Sequence, residues 1–187
     1  MAFRAPNLSL RSIRRIQRVC DRVGNHDCFS RMGLPPHFKF DDKGYETLST
    51  HHSLNDAFIE SLCAIHVLSH YNLMHAQIKP EYLRVKNFRC STKTPPFHFK
   101  LSGLQHCFEI GKPVLQIHSS LFADPELRTT SEKQYKTQYT YYSLAASFFA
   151  ISHGSPPPQA LRQKDIVHLP LLNQFSKEYL LIKLGMI

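Results

Sequence analysis

The residues that bear most directly on chemistry lie in two short runs, HAQIKPEY over residues 75–82 and KLSGLQ over residues 100–105. Gln77 is an amide, so it carries no carboxylate charge and has no useful basicity. Tyr82 is a phenol, and its unperturbed pKa of about 10 keeps it neutral near pH 7. Gly103 has no side chain and cannot supply the oxygen ligands that a hard cation requires. These three positions therefore offer neither a general base nor a metal ligand.

The two runs together resemble the catalytic loop and the metal-binding turn of a eukaryotic protein kinase. The family pattern H-R-D-L-K-P-x-N aligns with residues 75–82, and K-(I/L)-x-D-F-G aligns with residues 100–105. The positions that match the family pattern are scaffold positions: His75, Ile78, Lys79, Pro80, Glu81, Leu83, Lys100 and Leu101. The alternative interpretation is a chance match in an unrelated helical protein.

The chemical positions of the same pattern do not match the family. Gln77 stands where the catalytic-base Asp is expected, Tyr82 where a magnesium-binding Asn is expected, and Gly103 where the principal magnesium-binding Asp is expected. Phosphoryl transfer needs metal ions that bridge the phosphates and a carboxylate that accepts the hydroxyl proton. The resemblance therefore implies a degenerate site, His75, Gln77, Lys79, Tyr82 and Gly103, with no catalytic residue, metal or cofactor. A residual enzyme would have to use the nearby carboxylates of Glu81 and Glu109.

Length, composition and charge limit which other kinds of function the chain could have. The 187 residues correspond to about one domain, and a hydrophobic content of 42% is enough for a core. The longest apolar candidate, residues 142–151, has about half of the roughly 20 residues that a membrane-spanning helix needs. A formal net charge of +9 permits contact with nucleic acid, but the sequence contains no continuous Lys/Arg run and no RNA-recognition motif. We therefore expect no membrane contact and do not favour a nucleic-acid partner.

The cysteines and histidines do not form a recognisable metal site. The five cysteines are odd in number, contain no C-x-x-C pair and follow no secretory signal, so reduced thiols are expected. A local Cys/His cluster lacks the short paired spacing of a zinc site. Its members are Cys90, His98, His106 and Cys107.

The beginning of the chain predicts an amphipathic helix over residues 9–23, because its apolar residues recur at close to helical spacing. Its arginine-rich, acid-poor composition is typical of a mitochondrial transit peptide, which is one interpretation. The alternative is the αC helix of a kinase small lobe, in which Gln17 replaces the αC Glu. Only about eight residues precede this helix, and they contain neither the Gly-rich loop nor the lysine that clamps the nucleotide in kinases. Tight binding of ATP is therefore not expected.

The rest of the chain predicts an alternation of strands and helices. Two short strands over residues 38–40 and 45–48 are predicted to form a hairpin like the fourth and fifth strands of a kinase small lobe. A helix is predicted from residue 54 to 68, and the FHFKL run over residues 97–101 is strand-like. Residues 123–127 resemble the A-P-E motif.

The last part of the chain resembles the end of a kinase large lobe. Residues 139–151 resemble the kinase αF helix, and residues 169–185 resemble αG and αH. Thr140 stands where the αF Asp braces the catalytic-loop backbone, so this bracing is expected to be lost.

These elements predict an α+β, protein kinase-like fold that consists mostly of the helical large lobe with a truncated small lobe. The predicted division is residues 1–53 for the small-lobe remnant, with its αC-like helix and hairpin, and residues 54–187 for the large lobe. Such a remnant would present an unpaired strand edge to a partner, unless residues 1–53 fold back and cover it. An arginine-rich helix face would steer an acidic partner towards it. This face contains Arg11, Arg14, Arg15, Arg18 and Arg22.

The KLSGL run over residues 100–104 is similar to the STRAD adaptor pseudokinases. That resemblance implies an inactive pseudokinase that acts as an adaptor or allosteric activator of a partner protein kinase, together with an armadillo-type scaffold protein. The alternatives are a truncated paralogue that inhibits a kinase or has no function, and a basic nucleic-acid-associated protein. The expected location is the cytoplasm, with the nucleus and mitochondrial import as alternatives.

Overall fold

The computed structural model describes residues 10–23, 26–30, 44–87, 97–114, 120–128 and 133–156. Its helices are α1 (Leu10–Val23), α2 (Leu54–His70) and α3 (Thr137–His153). Its strands are β1 (Glu46–Thr47), β2 (Leu73–His75), β3 (Leu83–Asn87), β4 (Phe97–Leu101) and β5 (Cys107–Glu109). Short 3-10 turns span Pro80–Tyr82, Leu104–His106 and Pro125–Arg128. The mixture of helices and small sheets confirms the predicted α+β class.

Helix α1 confirms the predicted amphipathic helix at the start of the chain. Its apolar stripe is buried through Ile16, Val19 and Val23, which join the main hydrophobic core. Arg22 lies in the last turn, where a positive charge interacts favourably with the negative end of the helix dipole. The helix therefore packs on the domain through one face and exposes much of its basic surface.

The larger sheet has the strand order β1-β3-β4 and is antiparallel throughout. In β3 and β4 the register pairs Leu83 with Leu101 and Val85 with Phe99, and all four side chains are buried. The predicted second hairpin strand is present as β1, whose partner is β3. The predicted first hairpin strand, residues 38–40, lies outside the described residues, as do the αG-like and αH-like segments. The β1–β3 pairing joins the predicted units 1–53 and 54–187.

Helices α2 and α3 form the helical centre of the core. Helix α2 begins after Ser53, whose hydroxyl accepts a hydrogen bond from the Asp56 backbone N–H at 3.4 Å and so caps the helix. The rings of Phe58 in α2 and Phe148 in α3 meet edge to face, with centroids 5.0 Å apart. Helix α3 ends at Gly154, whose left-handed φ of 75° favours glycine. Both segments are therefore buried, adjacent helices, as predicted.

The smaller sheet pairs β2 with β5 and brings distant parts of the chain together. Its register places Leu73 opposite Glu109 and His75 opposite Cys107. Below it, Met74 packs with Leu127 and Tyr139 in a second cluster of buried residues. No helix within the described ranges is long and apolar enough to cross a membrane. Four cysteines are free thiols, Cys20, Cys28, Cys63 and Cys107, while Cys90 lies outside the described residues.

We predict that Phe148→Ala lowers the free energy of unfolding by about 3–5 kcal/mol, because it leaves a cavity against Phe58 in the core. The matched control is Phe149→Ala, since Phe149 is only half-buried and stacks on His153. Urea unfolding of both variants measures the difference. Equal losses for the two phenylalanines would contradict the assignment of the α2–α3 contact as the centre of the core.

Candidate functional site

The predicted degenerate site lies where β2, the 3-10 turn Pro80–Tyr82 and the end of β4 meet. Strand β2 ends at His75, and β3 begins at Leu83, directly after the turn. Pro80 begins the turn, where its fixed φ is favourable and its missing N–H costs nothing. Ser102 connects the end of β4 to the turn, because its backbone N–H donates to the Tyr82 carbonyl at 2.9 Å. The structure therefore brings the five sequence-predicted residues into one region.

His75 connects the end of β2 to the residue that follows β4. Its side chain is fully buried, and its Nε2 lies 3.2 Å from the Ser102 carbonyl oxygen. Its Nδ1 accepts a hydrogen bond from the Gln77 backbone N–H at 3.3 Å. A neutral imidazole with its proton on Nε2 satisfies both contacts, since a carbonyl can only accept. His75 thus acts as a structural connection between β2 and the end of β4.

Thr140 braces the loop, so the prediction that this bracing is lost is wrong. The Thr140 side-chain oxygen accepts a hydrogen bond from the His75 backbone N–H at 3.1 Å, and both residues are fully buried. A hydroxyl is able to replace a carboxylate here because a single acceptor oxygen satisfies this N–H. A buried N–H without a partner would destabilise the fold, which gives Thr140 a clear structural role.

Ser147 provides a second anchor that the sequence analysis missed. Its hydroxyl lies 3.0 Å from the Ile78 carbonyl oxygen and 2.8 Å from the Ser143 carbonyl oxygen, and it can donate to either. Thr140, Ser143 and Ser147 follow i, i+3, i+7 spacing, which places three hydroxyls on one helix face. A stripe of hydroxyls on an otherwise apolar helix is the sequence signal that could have revealed this anchor.

The same helix also holds the A-P-E-like segment. The Tyr139 hydroxyl donates to the Glu126 carboxylate at 2.9 Å. Burial, followed by the hydrogen bond to Glu126, raises the pKa of Tyr139 above its usual value, so the phenol keeps the proton that it donates. Helix α3 therefore anchors both the loop and the segment around residue 126.

The closest packing in the site lies between Gly103 and Tyr82. Gly103 has a left-handed φ of 77°, and a Cβ built on it would lie 2.6–2.8 Å from three atoms of the Tyr82 ring. Carbon atoms do not approach so closely, so any side chain at residue 103 would collide with the ring. The Tyr82 ring therefore occupies the space into which a residue-103 side chain would project. Two of the sequence-predicted degenerate positions fit each other directly.

The Tyr82 phenol is held in place by its neighbours. Its hydroxyl lies 3.1 Å from His106 Nε2. Burial, with a smaller contribution from the Glu81 carboxylate, raises the pKa of Tyr82 to about 12. The side chain is therefore neutral at physiological pH and supplies a hydroxyl where the kinase pattern has an amide.

Of the remaining two predicted positions, Lys79 forms an ion pair and Gln77 is buried. The Lys79 ammonium lies 3.4 Å from the Glu81 carboxylate and 5.4 Å from the centre of the Tyr82 ring. Such an exposed ion pair contributes about 0–1 kcal/mol, so it orients Lys79 more than it stabilises the fold. The Gln77 side chain is buried. Within the described ranges, no three His, Cys, Asp or Glu side chains converge as a metal site would require.

The Cys/His residues that lie close together in the sequence do not converge on one site in the part of the chain that the structure describes. His98 contacts the Tyr45 hydroxyl at 3.3 Å, whereas His106 contacts Tyr82. Cys107 is buried, and burial raises the pKa of its thiol. These three residues therefore have separate surroundings, and the fourth member, Cys90, lies outside the described residues.

Gln17, at the predicted αC Glu position, interacts within its own helix. Its amide donates to the Asp21 carboxylate at 3.0 Å. Arginines of α1 instead make polar contacts with the rest of the domain, and Arg15 donates to the Gln105 carbonyl at 3.1 Å. Arg22 forms an ion pair with Glu109 at 2.8 Å. Part of the arginine-rich face that was predicted to meet a partner therefore holds α1 on the domain.

We predict that Thr140→Val lowers the free energy of unfolding by about 1–3 kcal/mol, because it leaves the His75 N–H buried without its acceptor. Thr140→Ser is the matched control, since it keeps the hydroxyl. Amide hydrogen exchange at His75 is the second measurement, and it should accelerate only in the valine variant. Equal exchange rates in the two variants would contradict the brace.

We also predict that Gly103→Ala lowers the free energy of unfolding by about 1–3 kcal/mol more than Gly111→Ala does, because the added methyl group overpacks against the Tyr82 ring. Gly111 is the matched control because its φ of 80° carries the same backbone penalty, while no atom lies within 4 Å of an added Cβ. Urea unfolding measures both variants. In a Tyr82→Ala background the difference should vanish, and its persistence there would show that the ring is not the obstacle.

Comparison with known proteins identifies the fold. A scan against protein-family models and a search of curated proteins found no match to this sequence. Solved structures do match. The chain superimposes on the kinase PK-1 of Cydia pomonella granulovirus with a TM-score of 0.57 and 14% identity, over 88% of this chain and 70% of the viral one.

A second match is the yeast RNA polymerase II CTD kinase CTDK-1 complex. The TM-score is 0.58 and the identity 13%, over 88% of this chain and 58% of that chain, which is less than two thirds of its length. The first match is a kinase and the second belongs to a kinase complex. The chain therefore has a protein kinase-like α+β fold.

Proposed function

We propose that this chain is a catalytically inactive, kinase-like protein that acts as an adaptor or allosteric activator of a partner protein kinase. The observation that carries the proposal is the contact between Tyr82 and Gly103. A metal-binding side chain at residue 103 has no room, because a Cβ there would lie 2.6 Å from the Tyr82 ring. Metal ions are what kinases use to bridge and neutralise the phosphates.

The nearby carboxylates also support inactivity. Glu81 lies 3.4 Å from Lys79, and Glu109 forms its ion pair with Arg22 at 2.8 Å. Both carboxylates thus already have a cationic partner in the folded protein. Gln77 has no carboxylate to accept the hydroxyl proton of a substrate. A residual enzyme would need one of these glutamates to leave its partner.

A role in binding fits a chain that keeps the scaffold of the site without its chemical groups. The loop remains anchored to α3 through Thr140 and Ser147, so its shape is held although its polar groups differ from those of a kinase. The KLSGL run over residues 100–104 favours a STRAD-type adaptor. The proposed partners are therefore a protein kinase and an armadillo-type scaffold protein.

We predict that Mg-ATP does not change the thermal unfolding midpoint of the protein. A ligand that binds the native state at 100 times its Kd stabilises that state by about 2.7 kcal/mol, so binding would be easy to detect. Magnesium alone and ATP alone serve as controls in the same experiment, and a phosphotransfer assay follows it. A shift of several degrees that requires both would refute the absence of Mg-ATP binding, and transfer of phosphate would refute inactivity.

We also predict that a protein kinase co-purifies with the tagged chain in stoichiometric amount. The activity of the captured kinase, measured with and without the chain, distinguishes an activator from an inhibitor. The Phe148→Ala variant, which is expected to be destabilised, is the control for capture that depends on the folded state. A stable monomer that retains no kinase would favour the alternative of a truncated paralogue without a function.

A further inference from the structure

A cavity of about 450 Å³ lies between α1 and β5. Its volume is within the range of ligand pockets, which is about 300–1,000 Å³. Residues of α1 form one wall, and Leu73, Phe108 and Pro113 contribute to the other. We refer to it as the α1 cavity.

The α1 cavity has a strongly positive lining. Two carboxylates, Asp21 and Glu109, face five cationic side chains, which leaves an excess of three positive charges. The cationic side chains are Arg11, Arg15, Arg18, Arg22 and Lys112. Glu109 is already paired with Arg22. Arg11 and Lys112 are exposed and have no ion-pair partner among the described residues, so they remain available to an anion.

The cations also repel one another. Burial lowers the pKa of Arg15, and the positive charges of Arg11 and Arg18 lower it further. The Arg15 guanidinium is nevertheless held in place, by the Gln105 carbonyl at 3.1 Å and by the Phe108 ring at 4.4 Å. An anion in the cavity would relieve this repulsion.

The cavity also has an apolar wall, which includes Val19, Leu73 and Pro113. Its aromatic ring, Phe108, is covered by neighbours, since Arg15 lies over it at 4.4 Å and Tyr135 stacks on it with centroids 4.3 Å apart. Proteins that bind single-stranded nucleic acid stack bases on open aromatic faces along a groove. A covered ring at the side of a concave pocket does not provide such a platform.

We propose that the α1 cavity binds an acidic peptide segment of a protein partner, with an apolar side chain against Val19 and Leu73 and carboxylates on Arg11, Arg18 and Lys112. Charge complementarity selects an acidic segment, and the apolar wall selects a segment with an apolar residue beside its acids. This inference rests on the proposed function in one respect only, namely that the chain has a protein partner. The test below uses a probe peptide and does not depend on catalysis or on a kinase.

The experiment measures the fluorescence anisotropy of a labelled pentapeptide that has a leucine between two pairs of glutamates. The neutral glutamine version of the peptide and a single-stranded oligonucleotide of equal charge are measured beside it. The test variant, Arg11→Ala with Lys112→Ala, removes two exposed cations from the cavity. The matched control, Arg14→Ala with Lys136→Ala, removes two exposed cations that do not line it.

The acidic peptide should bind, and its Kd should rise with ionic strength because exposed charges are screened by salt. The test variant should weaken binding by about tenfold, since two exposed ion pairs are lost, while the control variant changes it little. Equal losses in both variants would overturn the proposal in favour of a diffuse charge attraction. Tighter binding of the oligonucleotide would overturn it in favour of nucleic acid, and the absence of any peptide binding would overturn it outright. Circular dichroism verifies that both variants keep the fold.

Discussion

The hydrogen bonds from α3 to the loop after β2 are the constraint on which the site depends. A buried backbone N–H at His75 and a carbonyl at Ile78 would each destabilise the fold without a partner. Hydroxyls of Thr140 and Ser147 supply those partners from one face of a buried helix. Helix α3 is itself fixed against α2 by Phe58 and other core residues, so the packing of the core sets the position of the loop.

Once the loop is held, the Tyr82 ring packs closely against Gly103. The left-handed backbone and the missing Cβ at Gly103 allow the ring to lie where a side chain would otherwise project. The two residues therefore depend on each other: a larger residue 103 would displace the ring, and the ring excludes a larger residue. A site built in this way keeps the loop anchored to α3 while the Tyr82 ring fills the space beside residue 103.

Helix α1 combines a structural role with an exposed charge. Arg15 and Arg22 are directed at the backbone and at a carboxylate of the domain, so they hold the helix in place. The cations that remain exposed lie beside an apolar wall, which gives the α1 cavity two kinds of surface at once. Such a combination provides both electrostatic attraction and specificity for a partner.

The sequence by itself determined the three helices and the fold class. Helices α1 and α2 follow from apolar residues at helical spacing, because that pattern places those residues on one buried face. Helix α3 follows from its resemblance to the kinase αF helix. The kinase-like order of motifs followed from His75 and the residues after it. Only the tertiary structure decided how these parts act together. The Thr140 brace joins residues 65 positions apart. The Tyr82–Gly103 contact depends on ring atoms that lie 2.6–2.8 Å from the place that a Cβ of residue 103 would take. Local patterns carry no information about such contacts, since these distances arise from the packing of the whole core.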